Sequence, residues 1–397
     1  MLVAGIVCEY NPFHAGHAHH LRATRQAGAQ AIVCVMSGHF VQRAEPAMLT
    51  KWTRAQAAVL CGADLVLELP SRCALQSAEG FARSAVQLLL AAGAQMLSFG
   101  SESGELPSLE RAARLLCSEG FEPALRKELQ KGLSYAAARQ QALCALGGDG
   151  SLLRRPNDNL AVEYLKALIR LDAPIRTLAV KRVGDPHGQL HPSGGAPACS
   201  AFALRHAWQQ GNNALWRSAV PCNVFELYMK ELGLTGGFSA APMERALLAR
   251  LRATDKEHLM RLPDASEELC ARLLHAVARS TSLEQLLSQS CTTRYTKSRV
   301  RRIVLRHFLD LPGTEAPSFL RVLAFNDTGR MLLRRLKEGP TPLVVKPSEQ
   351  EALLREEARL TDLFALFAKR PLPCGMEYRT SPRYLKGQHS SPSSADV

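Results

Sequence analysis

The chain has 397 residues, 46% of them hydrophobic and 21% charged, which excludes a disordered chain or a collagen-like fibre. That length accommodates two or three domains of roughly 100–200 residues each. The formal net charge is +13, divided as +4 over residues 1–200 and +9 over residues 201–397, and such a surplus favours a phosphate-rich partner such as nucleic acid. No apolar stretch reaches the roughly 18 residues that argue for a transmembrane helix. The N-terminus, MLVAGIVCEYNPF, lacks the basic start of a signal peptide. The 11 cysteines are scattered, and no two form a C-x-x-C pair, so neither a zinc ribbon nor a disulfide framework is expected. Reducing cytosol is the expected compartment.

The first hundred residues alternate strand and helix. Val3–Cys8 reads as a strand ending at Asn11-Pro12, followed by a helix over 16–27. Ala31–Met36 is a second strand, Lys51–Cys61 a helix closed by Gly62-Ala63, and Asp64–Leu69 a third strand stopped by Pro70. A helix over Ala78–Ala92 and a strand over Met96–Phe99 follow. Near-continuous apolar strands separated by helices predict an α/β fold, a Rossmann-like doubly wound parallel sheet covered on both faces. Residues 106–170 read as helical, Thr177–Val180 as one more strand, and Gly184–Pro197 as an irregular loop. Beyond about residue 205 the pattern is mainly helical, with a small strand pair at Val322–Phe325 and Leu343–Val345. The Ser/Pro-rich end reads as a disordered tail. The expected division is therefore a nucleotide-handling domain over 1–205, a basic helical domain over 206–380 and a tail over 381–397.

The chemistry is concentrated in Gly5–Leu21, GIVCEYNPFHAGHAHHL. Here His14-Ala15-Gly16-His17 follows the first strand and opens a helix. A helix N-terminus offers unpaired N–H groups and partial positive charge to a phosphate. Glycine permits close approach of the backbone, and imidazoles can donate to oxygens on which charge develops. The arrangement suits attack on the α-phosphate of a nucleoside triphosphate. His14, His17, His19 and His20 are crowded, but no cysteine or carboxylate has ligand spacing beside them, so no metal site is expected.

This opening, together with MSGHFVQRAEPA (36–47), KWTRAQAA (51–58), GADLVLELP (62–70), SFGSE (98–102), RPNDNLAVEYLKAL (155–168), KRVG (181–184), CSAFALR (199–205), RYTKSRVRRI (294–303) and RVLAFNDTGRMLL (321–333), resembles the bacterial tRNA(Met) cytidine acetate ligases of the HIGH-type nucleotidyltransferase superfamily. The blocks are collinear over about residues 1–370. The resemblance implies that ATP activates acetate as acetyl-adenylate. The acetyl group then passes to the N4 amine of the wobble cytidine of elongator tRNA(Met), giving N4-acetylcytidine.

The resemblance implies an ATP site built from Val7, Cys8, Glu9, Tyr10, Asn11, Pro12, Phe13, His14, Ala15, Gly16, His17, Ala18, His19 and His20, with Gly100, Asn157 and Arg182. His14 and His17 would be catalytic, Mg²⁺ would accompany the ATP, and the enzyme would act in the cytoplasm with no protein partner. Read on its residues alone, Asn157 is equally an N-cap after Pro156, with Asp158 its rival. Gly100 is a strand-ending turn at the edge where α/β proteins bind ligands. The block Arg294, Lys297, Arg299, Arg301 and Arg302, with Tyr295 available to stack on a base, is expected to bind tRNA. Arg294, Lys297 and Arg301 should share one helix face.

Three positions depart from the family pattern: His39 in place of asparagine, Ala44 in place of glycine, and Thr293 in place of lysine. If Ala44 must take a positive φ, that loop is altered. Two other readings stay open. A small-molecule adenylyltransferase of NAD or coenzyme A type leaves the basic half unexplained, and a non-catalytic RNA-binding factor does not require an intact His14, Gly16 and His17.

Overall fold

The structure, a computed structural model, describes residues 1–182 and 199–387. Among these residues, eight strands form one mostly parallel sheet: β1 (Val3–Cys8), β2 (Ala31–Ser37), β3 (Leu65–Leu69), β4 (Met96–Ser101), β5 (Arg176–Lys181), β6 (Leu320–Asn326), β7 (Leu343–Val344) and β8 (Arg383–Leu385). Their order is β8-β6-β3-β2-β1-β4-β5, with β7 paired to β6. The connections β1 to β2 and β2 to β3 progress in one direction. The chain then crosses back, so that β4 lies on the other side of β1. That reversal beside β1 is the topological switch point at which open α/β sheets bind ligands.

Every residue of β2 and β3 is buried, because helices cover both faces. The pleat sends alternate residues to two separate cores. Val3, Val33, Val35, Leu65 and Leu67 pack with α3 (Ala78–Ala91) and α4 (Pro156–Arg170). Ala4, Ile6, Ile32, Cys34 and Met36 pack with α1 (Ala15–Gln26), α2 (Lys51–Leu60), α5 (Ala201–Gln209) and α6 (Cys222–Thr235).

A third core belongs to helices alone. It joins Leu269 and Leu273 of α7 (Glu267–Arg279), Leu286 of α8 (Leu283–Ser290) and Val300 and Ile303 of α9 (Lys297–Leu309). A fourth cluster, including Phe40, Leu75, Leu305 and Phe364, fastens this helical unit to the sheet through α11 (Glu351–Ala365), which follows α10 (Asp327–Leu336). No helix among the described residues is long and apolar enough to cross a membrane.

The strand pair expected near 322 and 343 is not a separate small sheet. β6 lies antiparallel to β3 inside the main sheet, and β7 pairs parallel to β6. β8, at the start of the segment expected to be a tail, pairs parallel to β6, and Tyr384 stacks on Phe325 at 5.2 Å. Residue 205 is thus no boundary between layers, since the sheet takes three strands from beyond it. The loop expected over 184–197 and the tail beyond 387 lie outside the described residues.

Charges are also buried where the two ends of the chain meet. Lys51 Nζ lies 2.7 and 2.8 Å from the Glu68 carboxylate oxygens and 2.7 Å from Glu377 Oε2. Arg321 Nε is 3.4 Å from Glu377 Oε1. On α11, Glu357 accepts from the Ser71 N–H at 2.7 Å and pairs with the Ser71 hydroxyl at 2.8 Å. Burial first, and then the neighbouring Glu68, push the Glu357 carboxyl up to about 8. The unfolded chain releases this proton near 4.5, so the folded state holds one extra proton between the two values. Glu357 therefore makes stability fall as pH rises across that window. Glu357→Gln preserves both contacts to Ser71 and is expected to flatten that decline, as measured by urea unfolding from pH 5 to about pH 9.

Two of the departures find a physical account. Ala44 has φ 58° in the turn between Phe40–Val41 and Glu45–Pro46, so the glycine-type backbone is kept without the glycine. A non-glycine residue in that region costs about 1–2 kcal/mol, partly offset by the greater unfolded-state entropy of glycine. Ala44→Gly is expected to stabilise the protein by about 0.5–1 kcal/mol in equilibrium unfolding. His39 stacks on Phe364 at 4.1 Å and meets Thr361 Oγ1 at 3.2 Å, so it is absorbed into the packing of α11. Burial, aided by Lys51 and Arg54, lowers its pKa and keeps the ring neutral. Nothing in the structure explains Thr293.

Candidate active site

At the switch point the carboxyl ends of β1, β4 and β5 open into a cleft of about 500 Å³. Its wall includes His14, Gly16, His17, His19 and His20 after β1, Gly100 of β4, Val180 and Lys181 of β5 with Arg182 after it, and Cys199 and Ser200 before α5. Histidines, Gly100 and Arg182, expected from distant parts of the sequence, are thus brought together.

The helix α1 starts where it does because His14 caps it. The His14 ring accepts the Gly16 N–H on Nδ1 at 3.1 Å, and the His17 ring accepts the His14 N–H on Nδ1 at 3.3 Å. The rings stack with centroids 3.8 Å apart. A nitrogen that accepts a backbone N–H cannot itself carry the proton, so both rings hold theirs on Nε2. Each ring is thereby fixed as a hydrogen-bond donor through Nε2. A Cβ at position 16 would lie 3.0 Å from His14 Cε1 and 3.1 Å from Nδ1, so glycine makes room for the capping ring.

The rest of the run Val7–His20 divides by role. Tyr10, Phe13 and Ala18 put their side chains into the core beneath the cleft. Pro12 is buried too, while Val7, Cys8 and Ala15 are half-buried. Glu9 Oε1 accepts the Gln42 N–H at 2.8 Å, and Asn11 Oδ1 accepts the Met48 N–H at 2.7 Å, bracing the turn from behind. Burial raises the Glu9 pKa, against the pull of Gln42 and nearby arginines. Tyr228 accepts the Phe13 N–H at 3.1 Å. His20 Nε2 meets Ser98 Oγ at 2.9 Å, and burial, with His19 and Arg182, lowers its pKa to about 4, so it is neutral near pH 7.

Neither Asn157 nor Asp158 is the N-cap of α4, a position that Arg155 occupies. The cap is supplied from outside by Glu102 of the turn after β4. Its carboxylate accepts from the Asn157 N–H at 3.1 Å, the Asn157 Nδ2 at 2.6 Å and the Asp158 N–H at 2.8 Å. Asp158 faces back, accepting from the Ser103 N–H at 3.2 Å and pairing with Arg155 at 2.7 Å. Asn157 is not among the residues lining the cleft, and through Glu102 it ties α4 to the turn after Gly100. Burial lowers the Arg182 pKa and the Glu102 charge opposes that shift.

Lys181 lines the cleft beside Arg182, as a basic pair able to reach phosphate oxygens, while Ser200 carries no role in the sequence pattern read above. Ser200 caps α5, its Oγ accepting the Ala203 N–H at 3.2 Å, so a second helix N-terminus borders the cleft. The signal was present as a serine before an apolar helical run. Arg205 of the same helix donates to the Asn11 carbonyl at 2.7 Å.

The basic block is arranged differently from the expected cationic face. Thr296 caps α9, so Arg294 precedes the helix and cannot share its face with Lys297 and Arg301. Tyr295 is buried, its hydroxyl donating to Glu268 at 2.8 Å, and it is not available to stack on a base. Arg299 donates to the Asp264 carbonyl at 2.6 and 2.8 Å, and Arg302 to the Asp264 carboxylate at 2.7 and 2.9 Å. Arg301 pairs with Glu45 at 2.5 Å. Arg294, itself paired with Glu268 at 2.8 Å, and Lys297 remain exposed.

Residues 1–375 match the family model described as HIGH Nucleotidyl Transferase. The tRNA(Met) cytidine acetate ligase of Acetivibrio thermocellus is 33% identical, covering 94% of this chain and 96% of the relative. The enzyme of the same name from Caldicellulosiruptor saccharolyticus is 34% identical, covering 97% and 99%. A crystal structure of Thermotoga maritima TmcAL bound with alpha-thio ATP superposes with a TM-score of 0.88 at 29% identity, covering 97% of this chain and 100% of that one. Its apo form gives 0.90 at 30% identity. A fold of this topology, with paired histidines at its switch point and relatives matched nearly end to end, leaves one assignment: the chain belongs to the HIGH nucleotidyl transferase family and, within it, to the tRNA(Met) cytidine acetate ligases.

Proposed function

We propose that this enzyme condenses ATP with acetate to acetyl-AMP in the cleft, and then acetylates the N4 amine of the wobble cytidine of elongator tRNA(Met) in the cytoplasm. An acetate oxygen attacks the α-phosphorus and pyrophosphate leaves. The cytidine amine then attacks the acetyl carbon, AMP leaves, and the amine gives up one proton. The observation that carries this reading is the stacked His14–His17 pair, fixed as Nε2 donors at the N-terminus of α1. Charge that develops on the phosphate oxygens meets donors already oriented, so little reorganisation opposes the step. Lys181, Arg182 and the N-terminus of α5 add positive charge to the same cleft. Arg294 and Lys297 are offered to RNA from the helical unit.

Magnesium is expected with the ATP. Among the described residues the cleft wall carries no carboxylate, so no side chain there suits a hard cation, and phosphate oxygens and water would hold it.

The enzyme with ATP, Mg²⁺ and acetate should form acetyl-AMP without tRNA. Added tRNA(Met) should consume it and acquire one acetyl group at the wobble cytidine. Labelled product from acetyl-coenzyme A without ATP would overturn the mechanism. Pyrophosphate exchange that required a nucleotide or pantetheine in place of acetate would favour a small-molecule adenylyltransferase.

A further inference from the structure

On the helical unit, far from the histidines in sequence, α7 and α8 border an open groove of about 640 Å³ lined by Arg272, His275, Ala276, Arg279 and Gln289. The three basic residues stand at i, i+3 and i+7 on α7, which places them on one stripe of the helix. Seven residues of helix span about 10 Å, a length that suits a stretch of polymer better than a single small anion.

The charges of this groove are not spent inside the protein, in contrast to those of α9. Among the described residues, neither Arg272 nor Arg279 forms an ion pair. Arg272 donates through Nε to the Ser290 carbonyl at 3.1 Å, a contact that orients its guanidinium without neutralising it. The acids at the start of α7 are already engaged, Glu267 by Lys256 at 2.5 Å and Glu268 by Arg294 at 2.8 Å. Glu268 is one turn before Arg272, and its pairing with Arg294 keeps that carboxylate from drawing on the Arg272 charge.

Resting on the reading of this chain as a tRNA-modifying enzyme, we infer that the α7–α8 groove is the docking surface for the RNA phosphodiester backbone. Arg272 and Arg279 contact phosphates, and the Gln289 amide lies beside them to meet a phosphate or a ribose hydroxyl. Arginine forks match phosphate oxygens in pairs. Contacts of this type hold and orient the RNA without reading its sequence, which leaves selection of the wobble base to the catalytic cleft.

The test is binding of fluorescently labelled tRNA(Met) to the full-length enzyme between about 50 and 200 mM salt, followed by anisotropy. Among the described residues the Arg279 side chain makes no hydrogen bond or ion pair, so Arg279→Gln is the least disruptive variant, and Arg272→Gln/Arg279→Gln the decisive one. Each lost phosphate contact should flatten the plot of log affinity against log salt by about 0.7–0.9. Arg279→Lys should keep most of the slope, and acetate-dependent pyrophosphate exchange without tRNA should be unchanged in all three. If the wild type binds and acetylates tRNA(Met) while the double variant keeps its affinity and slope, the groove assignment is overturned and the ligase reading stands. If the wild type neither binds nor acetylates tRNA(Met), both are overturned.

Discussion

His14→Ala and His17→Ala are each expected to slow acetate-dependent pyrophosphate exchange by about 10²–10³-fold, the loss seen when one oriented donor to a developing oxyanion is removed. The structure separates this effect from a structural one. The His14 ring also caps α1, and losing an N-cap costs about 1 kcal/mol. His14→Asn supplies a side-chain oxygen that can accept the same backbone N–H but has no donor equivalent to Nε2. It should restore the unfolding midpoint lost in His14→Ala and leave exchange slow. Exchange near the wild-type rate in His14→Asn would show that the ring serves only the helix.

The largest effect on stability is expected at Lys51. Its ammonium sits between Glu68 and Glu377 with no solvent exposure. Lys51→Met leaves two carboxylates buried without their cation, and breaking a buried pair in this way costs about 3–5 kcal/mol. Arg321 offers only partial compensation, since it meets Glu377 at 3.4 Å. Urea unfolding should show a lower midpoint, and Lys51→Met combined with Glu68→Gln should recover part of the loss by removing one stranded charge. A midpoint unchanged in Lys51→Met would mean that this cluster does not hold the two ends of the chain together.

Much of the first half was legible because its physics is local. An apolar run such as Ala31–Met36 between two helical stretches has few other solutions, and the structure extends it by one residue to Ser37. The H-x-G-H turn was legible for the same reason, as a strand end and a helix start lie within a dozen residues. What escaped depends on partners distant in sequence. Leu320–Asn326 reads as a strand, but nothing in those residues says that Leu65–Leu69 is its neighbour. Arg299 and Arg302 look like an RNA-binding face until Asp264, 35 and 38 residues earlier, is placed against them. Asn157 looks like a cap because Glu102, which caps in its stead, lies 55 residues before it. Ala44 hid a positive φ because the residue that normally signals one is missing.

The antiparallel strand β6 also sets the order in which the protein can be completed during synthesis. β3 leaves the ribosome about 250 residues ahead of its partner β6. At roughly 5–20 residues per second, that interval lasts on the order of 10–50 s. Throughout it, Leu65–Leu69 is an apolar edge with unpaired backbone groups, the kind of template on which chains pair with one another. Over that period the open edge favours pairing between nascent chains over correct completion of the sheet. Truncation at residue 205 would make the exposure permanent, so a fragment made to isolate the nucleotide half should aggregate, while adding β6 in trans should rescue its solubility.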